Sequence, residues 1–137
     1  MVFTVEDANK RIQGWFPGML GIEFFALEHG AVAGRLRLRT EHMAPNGYLH
    51  AATIIALADT CCGNGTYRTL PEGASNFTTI ELKSNFLGTA REGTIVCRAQ
   101  LVHSGRQTQV WDARVSNEAE DRTLALFRST QMIIYPR

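Results

Sequence analysis

The sequence has no cysteine framework. Its three cysteines, Cys61, Cys62 and Cys97, are odd in number, two are adjacent, and no Cys-x-x-Cys pair occurs. That argues against a disulfide scaffold, since a bridge between neighbours is strained, and a zinc ribbon lacks its ligands. Charge of one sign is also missing. Lys plus Arg is 14 and Asp plus Glu is 13, a net charge of +1, which argues against a protein whose main work is gripping nucleic acid or an acidic membrane. No apolar run approaches the ~20 residues that span a bilayer. The start, Met1 to Asp7, has neither a basic stretch nor an apolar core, so no signal peptide is expected. A reduced, cytoplasmic setting is the expectation. The four histidines show no metal-ligand spacing with acidic partners, and no metal site is expected.

What remains is ordinary globular material. The chain has 137 residues, 45% of them hydrophobic and 20% charged, and is read as one domain over 1–137. Thr4 with Asp7 three residues on resembles a capping box for a short helix over 4–13, and Gly14 to Gly18, with Pro17, is expected to end it. Strands are predicted at Ile22–Glu28 and Ala31–Thr40 around a His29-Gly30 turn. Arg35, Arg37 and Arg39 alternate there with Leu36 and Leu38, which reads as a solvated face or as a phosphate-binding surface. After a loop over 41–48, a helix spans about 49–69. Its apolar residues surround the whole circumference, so it is buried on most sides. Four long strands follow, at Phe77–Leu87, Thr94–His103, Arg106–Asn117 and Thr123–Tyr135, joined by short turns that make neighbours antiparallel. The fold class is α+β, a curved antiparallel sheet wrapped around one long helix.

Asp59 stands out within that helix, between Ala58 and Thr60. Asp is rarely buried without a partner and disfavours helix interiors. It is either paired with a sheet arginine such as Arg98 or Arg114, or it is a nucleophile or general base in a cleft. His50 lies nine residues earlier, half a turn away in projection, so the two cannot form a dyad within one straight helix. A joint role needs a second subunit. Asn46-Gly47 leads into the helix start, whose free amides polarise a carbonyl. Ser104-Gly105-Arg106 forms a turn suited to a phosphate, with Arg91 in a neighbouring turn. The cysteines read as small core residues.

The run Asn46-Gly47-Tyr48-Leu49-His50-Ala51-Ala52, followed after six residues by Asp59-Thr60, resembles hotdog-fold acyl-CoA thioesterases of the phenylacetate-pathway (PaaI-like) type. Such proteins show His-Gly-Gly at the helix start and Leu-Ala-Asp inside it, here His50-Ala51-Ala52 and Leu57-Ala58-Asp59. The resemblance covers about Gly21 to Tyr135. It implies that Asp59 is the catalytic carboxylate, that the Ala51 amide binds the thioester oxygen, and that His50 and Asn46 orient it. Strict counting puts Ala44 at the position relatives fill with Asn or Gln. Thr79, or Thr78 as the alternative register, matches a hydroxyl near the carboxylate. Arg91, Ser104, Gly105 and Arg106 would meet CoA phosphates. No cofactor is implied beyond the CoA of the substrate, and the site lies between subunits of a homodimer or dimer of dimers.

Thioester hydrolysis is the leading expectation. A hydratase or dehydratase on an acyl thioester would need His50 and Asp59 as an acid–base pair across subunits. A non-catalytic acyl-CoA-binding module is the third reading. Trp15, Phe16, Tyr48 and Tyr67 are candidate acyl-pocket residues.

Overall fold

The computed structural model describes residues 2–137. The N-terminal helix α1 (Val5–Arg11) begins at Thr4, whose hydroxyl accepts from the Asp7 amide while the Asp7 carboxylate accepts from the Thr4 amide. Helix α1 ends before Gly14 to Gly18, as expected, but the chain does not leave helical structure there. A second short helix α2 (Phe16–Leu20) starts there, with Pro17 in its first turn. A proline breaks a helix interior, but the first turn has no internal use for its missing N–H. Left-handed Gly21 closes α2.

Strands β1 (Glu23–Glu28) and β2 (Ala31–Arg37) form a hairpin through Gly30 at φ +83°. A 3-10 turn over Thr40–His42 follows. Then come α3 (Ala51–Arg68), β3 (Asn76–Phe86), β4 (Thr94–Ser104), β5 (Thr108–Asn117) and β6 (Arg122–Ile134). The six strands form one antiparallel sheet in the order β1-β2-β4-β5-β6-β3. Strand β5 starts two residues later than expected, because the Gly105 amide closes a three-residue turn onto the Thr108 carbonyl, 2.9 Å away.

Helix α3 carries the chain from β2 across the concave face to the far edge, β3, and packs against all six strands. Leu57, Ala58, Cys61 and Cys62 are wholly buried there, against Trp111, Ile95, Val115 and Leu124 of the sheet. Small residues allow this close approach. A methyl group at Gly65 would lie 2.4 Å from the Trp111 ring. The ring cannot yield, since its indole N–H is fixed to Gln109 at 2.9 Å. Gly65→Ala gains ~1 kcal/mol of helix propensity, but overpacking a core costs about 1–3 kcal/mol and more when the neighbour is rigid. Net destabilisation of about 1–2 kcal/mol is expected, read by denaturant unfolding at fixed protein concentration.

The two sheet edges are β1 and β3. Strand β3 pairs with β6 on one side only. It is eleven residues long and mostly exposed, with Ile80 and Leu82 on the surface.

Candidate functional site

Asp59 sits midway along α3, half-buried, on the side facing β3. Among the described residues, no cation forms an ion pair with it. Arg114 is on the outer face of the sheet, bound to Asp121 and Thr123, and Arg98 lies over the Phe25 ring. The expected alternative of a sheet arginine is thereby overturned, because alternation along β4 and β5 turns both side chains away from the helix. Asp59 instead meets Thr79, whose Oγ1 lies 3.0 Å from Oδ1. Thr78 points outward and is exposed. A register shift in β3 directly follows Thr79, and such bulges re-aim side chains. Thr79 Oγ1 is also 2.8 Å from Oε1 of Gln131, its cross-strand partner on β6. Burial pushes the Asp59 carboxyl above the usual carboxylate range, and hydrogen bonds with Thr79 and Gln131 pull it partly back.

A cleft of about 440 Å³ opens beside Asp59, lined by Ile12, Trp15, Pro17, Asn64, Phe77 and Thr79. Arg11 stands at its wall with its guanidinium over Tyr67. Helix α1 is held there by Asn9, which clamps both backbone groups of Phe24 at 2.8 and 3.0 Å. Of the four aromatic candidates, Trp15 alone lines this cleft, and it is 72% exposed. Tyr67 packs on Phe3, Tyr48 lies under Arg91, and Phe16 is exposed on α2. A larger groove, of about 550 Å³, runs along the outer sheet face between Lys83, Arg98, Asp112, Arg114 and Arg128. Asp112 and Arg128 pair there, and none of the residues singled out on the helix reaches it.

The start of α3 is built separately. Buried His42 accepts from the Arg39 amide at Nδ1 and donates from Nε2 to the Leu20 carbonyl. Its own carbonyl receives the His50 amide and the Thr53 hydroxyl. His50 is the N-cap rather than a first-turn residue, and its Nδ1 accepts from the Ala52 amide at 2.9 Å. An accepting Nδ1 places the ring proton on Nε2, which is exposed and available as a donor. Among the described residues, the Ala51 amide makes no hydrogen bond, as the first residue of a helix leaves it. Asn46 lies in the preceding tight loop, where its Oδ1 accepts from the Tyr48 amide. That bond spends the side chain's acceptor and leaves its NH₂ outward.

One protomer does not unite these parts. Ala51 and Asp59 are eight residues apart along α3, ~12 Å at 1.5 Å per residue. A reacting carbonyl needs both within ~3 Å. Arg91 and Arg106 flank opposite ends of β4, separated by ~35 Å of strand. Arg106 lies over Tyr135, and the Gly105 amide is spent inside its turn. The Gly105 amide is therefore not available to a phosphate, and the turn offers the Arg106 guanidinium and the Ser104 hydroxyl.

Burial pushes the Cys62 thiol well up, and a hydrogen bond with Cys61, together with burial, does the same to Cys97, so neither supplies a thiolate nucleophile. No group of three or more His, Cys, Asp or Glu residues among those described is placed to hold a metal ion. No helix of the described chain is long and apolar enough to cross a membrane.

Sequence reasoning missed Gln131, Asn64 and Phe77. Gln131 carried a signal. Leu124 to Ile133 alternates, and the inward positions Ser129 and Gln131 are polar where the pattern calls for apolar side chains.

Comparison with known proteins bears on the family and the fold. The family profile described as Thioesterase superfamily matches residues 46–123, the stretch from Asn46 through α3 and β3 to the start of β6. A 1,4-dihydroxy-2-naphthoyl-CoA hydrolase of Listeria monocytogenes is 28% identical over 111 residues, 81% of this chain and 89% of that protein. The acyl-coenzyme A thioesterase PaaI of Escherichia coli is 29% identical over 114 residues, 80% of this chain and 75% of that protein. The crystal structure of a Haemophilus influenzae thioesterase superimposes with a TM-score of 0.91 at 27% identity, over 98% of this chain and 93% of that one.

Proposed function

The chain belongs to the thioesterase superfamily and is a hotdog-fold hydrolase of thioester bonds, and from that premise we propose that it cleaves acyl-CoA to a carboxylic acid and free CoA at a site shared by two subunits. Asp59 of one subunit acts on the thioester carbonyl. The Ala51 amide of the other, at the positive end of α3, binds the carbonyl oxygen, and the His50 Nε2–H lies beside it. The observation that carries this reading is Asp59 itself, a half-buried carboxylate lining a cleft and, among the described residues, in no ion pair. Such a group is costly to a fold and useful to a reaction.

In this reading Asp59 is a general base. Its raised pKa makes it a stronger base than a solvated carboxylate. Thr79 occupies Oδ1 and leaves Oδ2 for a water molecule. That water loses its proton to Oδ2 as its oxygen bonds to the acyl carbon. The tetrahedral oxyanion rests on the Ala51 amide. The C–S bond then breaks, and the proton passes from Asp59 to the departing CoA thiolate. Single-turnover hydrolysis in H₂¹⁸O checks this: label is expected in the acid product and not in Asp59. Label in the Asp59 carboxyl would replace the base by direct attack.

Two subunits follow from the ~12 Å separation and from the open edge of β3. An unpaired strand of this length is a template for pairing with a second copy. We propose a homodimer with the sheet continued through β3, or a dimer of such dimers. Ile12, Trp15, Pro17 and Phe77 would receive the acyl group, and Arg91 and Arg106, from different subunits, the CoA phosphates. The reaction as proposed uses no metal and no cofactor, since CoA is part of the substrate. The test is CoA release from a panel of aryl- and alkyl-CoA thioesters. Fast release from one class is expected. Hydration of an enoyl-CoA without CoA release would replace hydrolysis by a lyase reaction.

A further inference from the structure

Gln131 is a fully buried amide on an inward position of β6. Its neighbour across β5, Gln109, is buried as well, but serves the fold. Gln109 accepts from the Trp111 indole and the Thr69 hydroxyl and donates to the Thr69 carbonyl, closing the end of α3. Gln131 has no such backbone task for its side chain. It joins Thr79 on one side, at 2.8 Å, and Ser129 on the other, with Nε2 3.2 Å from Oγ. Ser129 in turn lies beside the Cys62 thiol on α3. The chain Asp59–Thr79–Gln131–Ser129 thus runs from the cleft into the core without reaching solvent.

Donor counting makes this chain directional. The Thr79 hydroxyl has one proton and stands between two acceptors, Asp59 Oδ1 and Gln131 Oε1. When Asp59 carries its proton on Oδ1, that proton bonds Thr79 Oγ1, Thr79 donates to Gln131 Oε1, and Gln131 Nε2 donates to Ser129. When Asp59 is ionised, Thr79 must donate to the carboxylate. Gln131 Oε1 would then face an oxygen with no proton between them. Turning the amide over repairs this: Nε2 donates to Thr79, and the Ser129 hydroxyl donates to Oε1. Each state gives Asp59 Oδ1, the Thr79 hydroxyl and the Gln131 carbonyl oxygen a partner, and an amide, with a donor and an acceptor at one end of the same side chain, serves both.

We propose that Gln131 is a positioning residue for the hydrolytic step, its amide turning over so that Thr79 donates to the Asp59 carboxylate when it is ionised and accepts from it when it is protonated on Oδ1. The proposal rests on the reading of Asp59 as the base. In turnover the water's proton lands on Oδ2 while Thr79 keeps donating to Oδ1, so Gln131 holds its Thr79-donating orientation through the step, and a proton held on Oδ1 in the resting acid form is what turns the chain over. The charged or titratable groups facing Asp59 from the packed elements are Arg11 of α1 and the Cys62 thiol of α3; Thr79 of β3 and Gln131 of β6 are neutral, and α2 presents Trp15 and Pro17. Burial keeps Cys62 a thiol, so the titration belongs to Asp59.

The test is Gln131→Met, which keeps the volume and removes both hydrogen-bonding ends, with Thr79→Val as a second variant that cuts the chain beside Asp59. Asp59 is titrated directly by carbon NMR of Asp-labelled protein, its signal identified by its loss in Asp59→Asn. The same variants give pH profiles of kcat/KM. In wild type, the Gln131 side-chain NH₂ resonances are expected to shift with the Asp59 titration, and to stop doing so in Asp59→Asn. In both variants the Asp59 midpoint and the acid limb of kcat/KM are expected to rise together, by about half to one pH unit. An unchanged Asp59 midpoint in folded Gln131→Met, or in Thr79→Val if the first does not fold, overturns the proposal. Retained turnover in Asp59→Asn overturns instead the base it rests on, and the NMR midpoint separates the two failures.

Discussion

Asp59→Asn is expected to lower kcat by about 10²- to 10⁴-fold, the usual contribution of a positioned general base, and to leave the protein no less stable at pH 7. The two halves have one cause. Burial raises the Asp59 pKa in the folded state. A carboxyl with a raised folded pKa favours folding only while protonated, below its ordinary value near 3.8. That contribution is lost as pH rises through the folded pKa, so at neutral pH the ionised group works against the fold. Asparagine is neutral at every pH, and its Oδ1 still accepts from Thr79. The stability advantage of the variant should therefore be present at pH 7 and fade as pH falls toward 4, read by urea unfolding at both values. A variant both inactive and destabilised at pH 7 would return Asp59 to a structural role. Gain of stability with loss of activity is the trade expected at a functional position.

Ala51→Pro is the second large effect. Proline deletes one N–H and little else at this position. Ala51 is the first residue of α3, where proline is favoured, and His50 has ψ 132°, inside the range a residue before proline prefers. The Ala52 amide still reaches His50 Nδ1. A folded protein with kcat lowered by about 10²- to 10³-fold is the expected result, the loss seen when one oxyanion donor is removed. Circular dichroism and unfolding check that the helix survives. Unchanged kcat in folded Ala51→Pro would move the oxyanion site elsewhere.

The fold was legible because its signals are periodic and local. The Thr4–Asp7 cap, the alternation in β5 and the all-round apolar helix each have one economical physical reading, and together they leave room for one wrap of sheet around helix. The errors lie where local chemistry admits two outcomes. Pro17 reads as a breaker and is a helix starter, which depends on its place in the first turn. Asp59 was legible as an anomaly in its helix, but its partners were not. Alternation puts Arg98 and Arg114 on the outer face, but which inward residues of the sheet meet Asp59 depends on strand register, which distance along the chain does not encode. Thr79 over Thr78 turns on the irregularity that follows in β3. Gln131 was written in the pattern as a polar residue in an apolar column, the same kind of anomaly as Asp59, and a strand tolerates it less conspicuously than a helix does. The separation of Arg91 from Arg106 needed no coordinates beyond the length of β4, since both flank that one strand.

The central claim is that the carboxylate and the oxyanion donor come from different subunits. It is tested by producing Asp59→Asn and Ala51→Pro chains together in equal amounts, so that they assort at random. Each parent assembly is inactive. A mixed dimer holds one site with both changes and one with neither, so about a quarter of wild-type activity should return, as symmetric pairing requires. Activity no greater than that of the two parents would contradict the account, and would place both groups, or their true counterparts, within one chain.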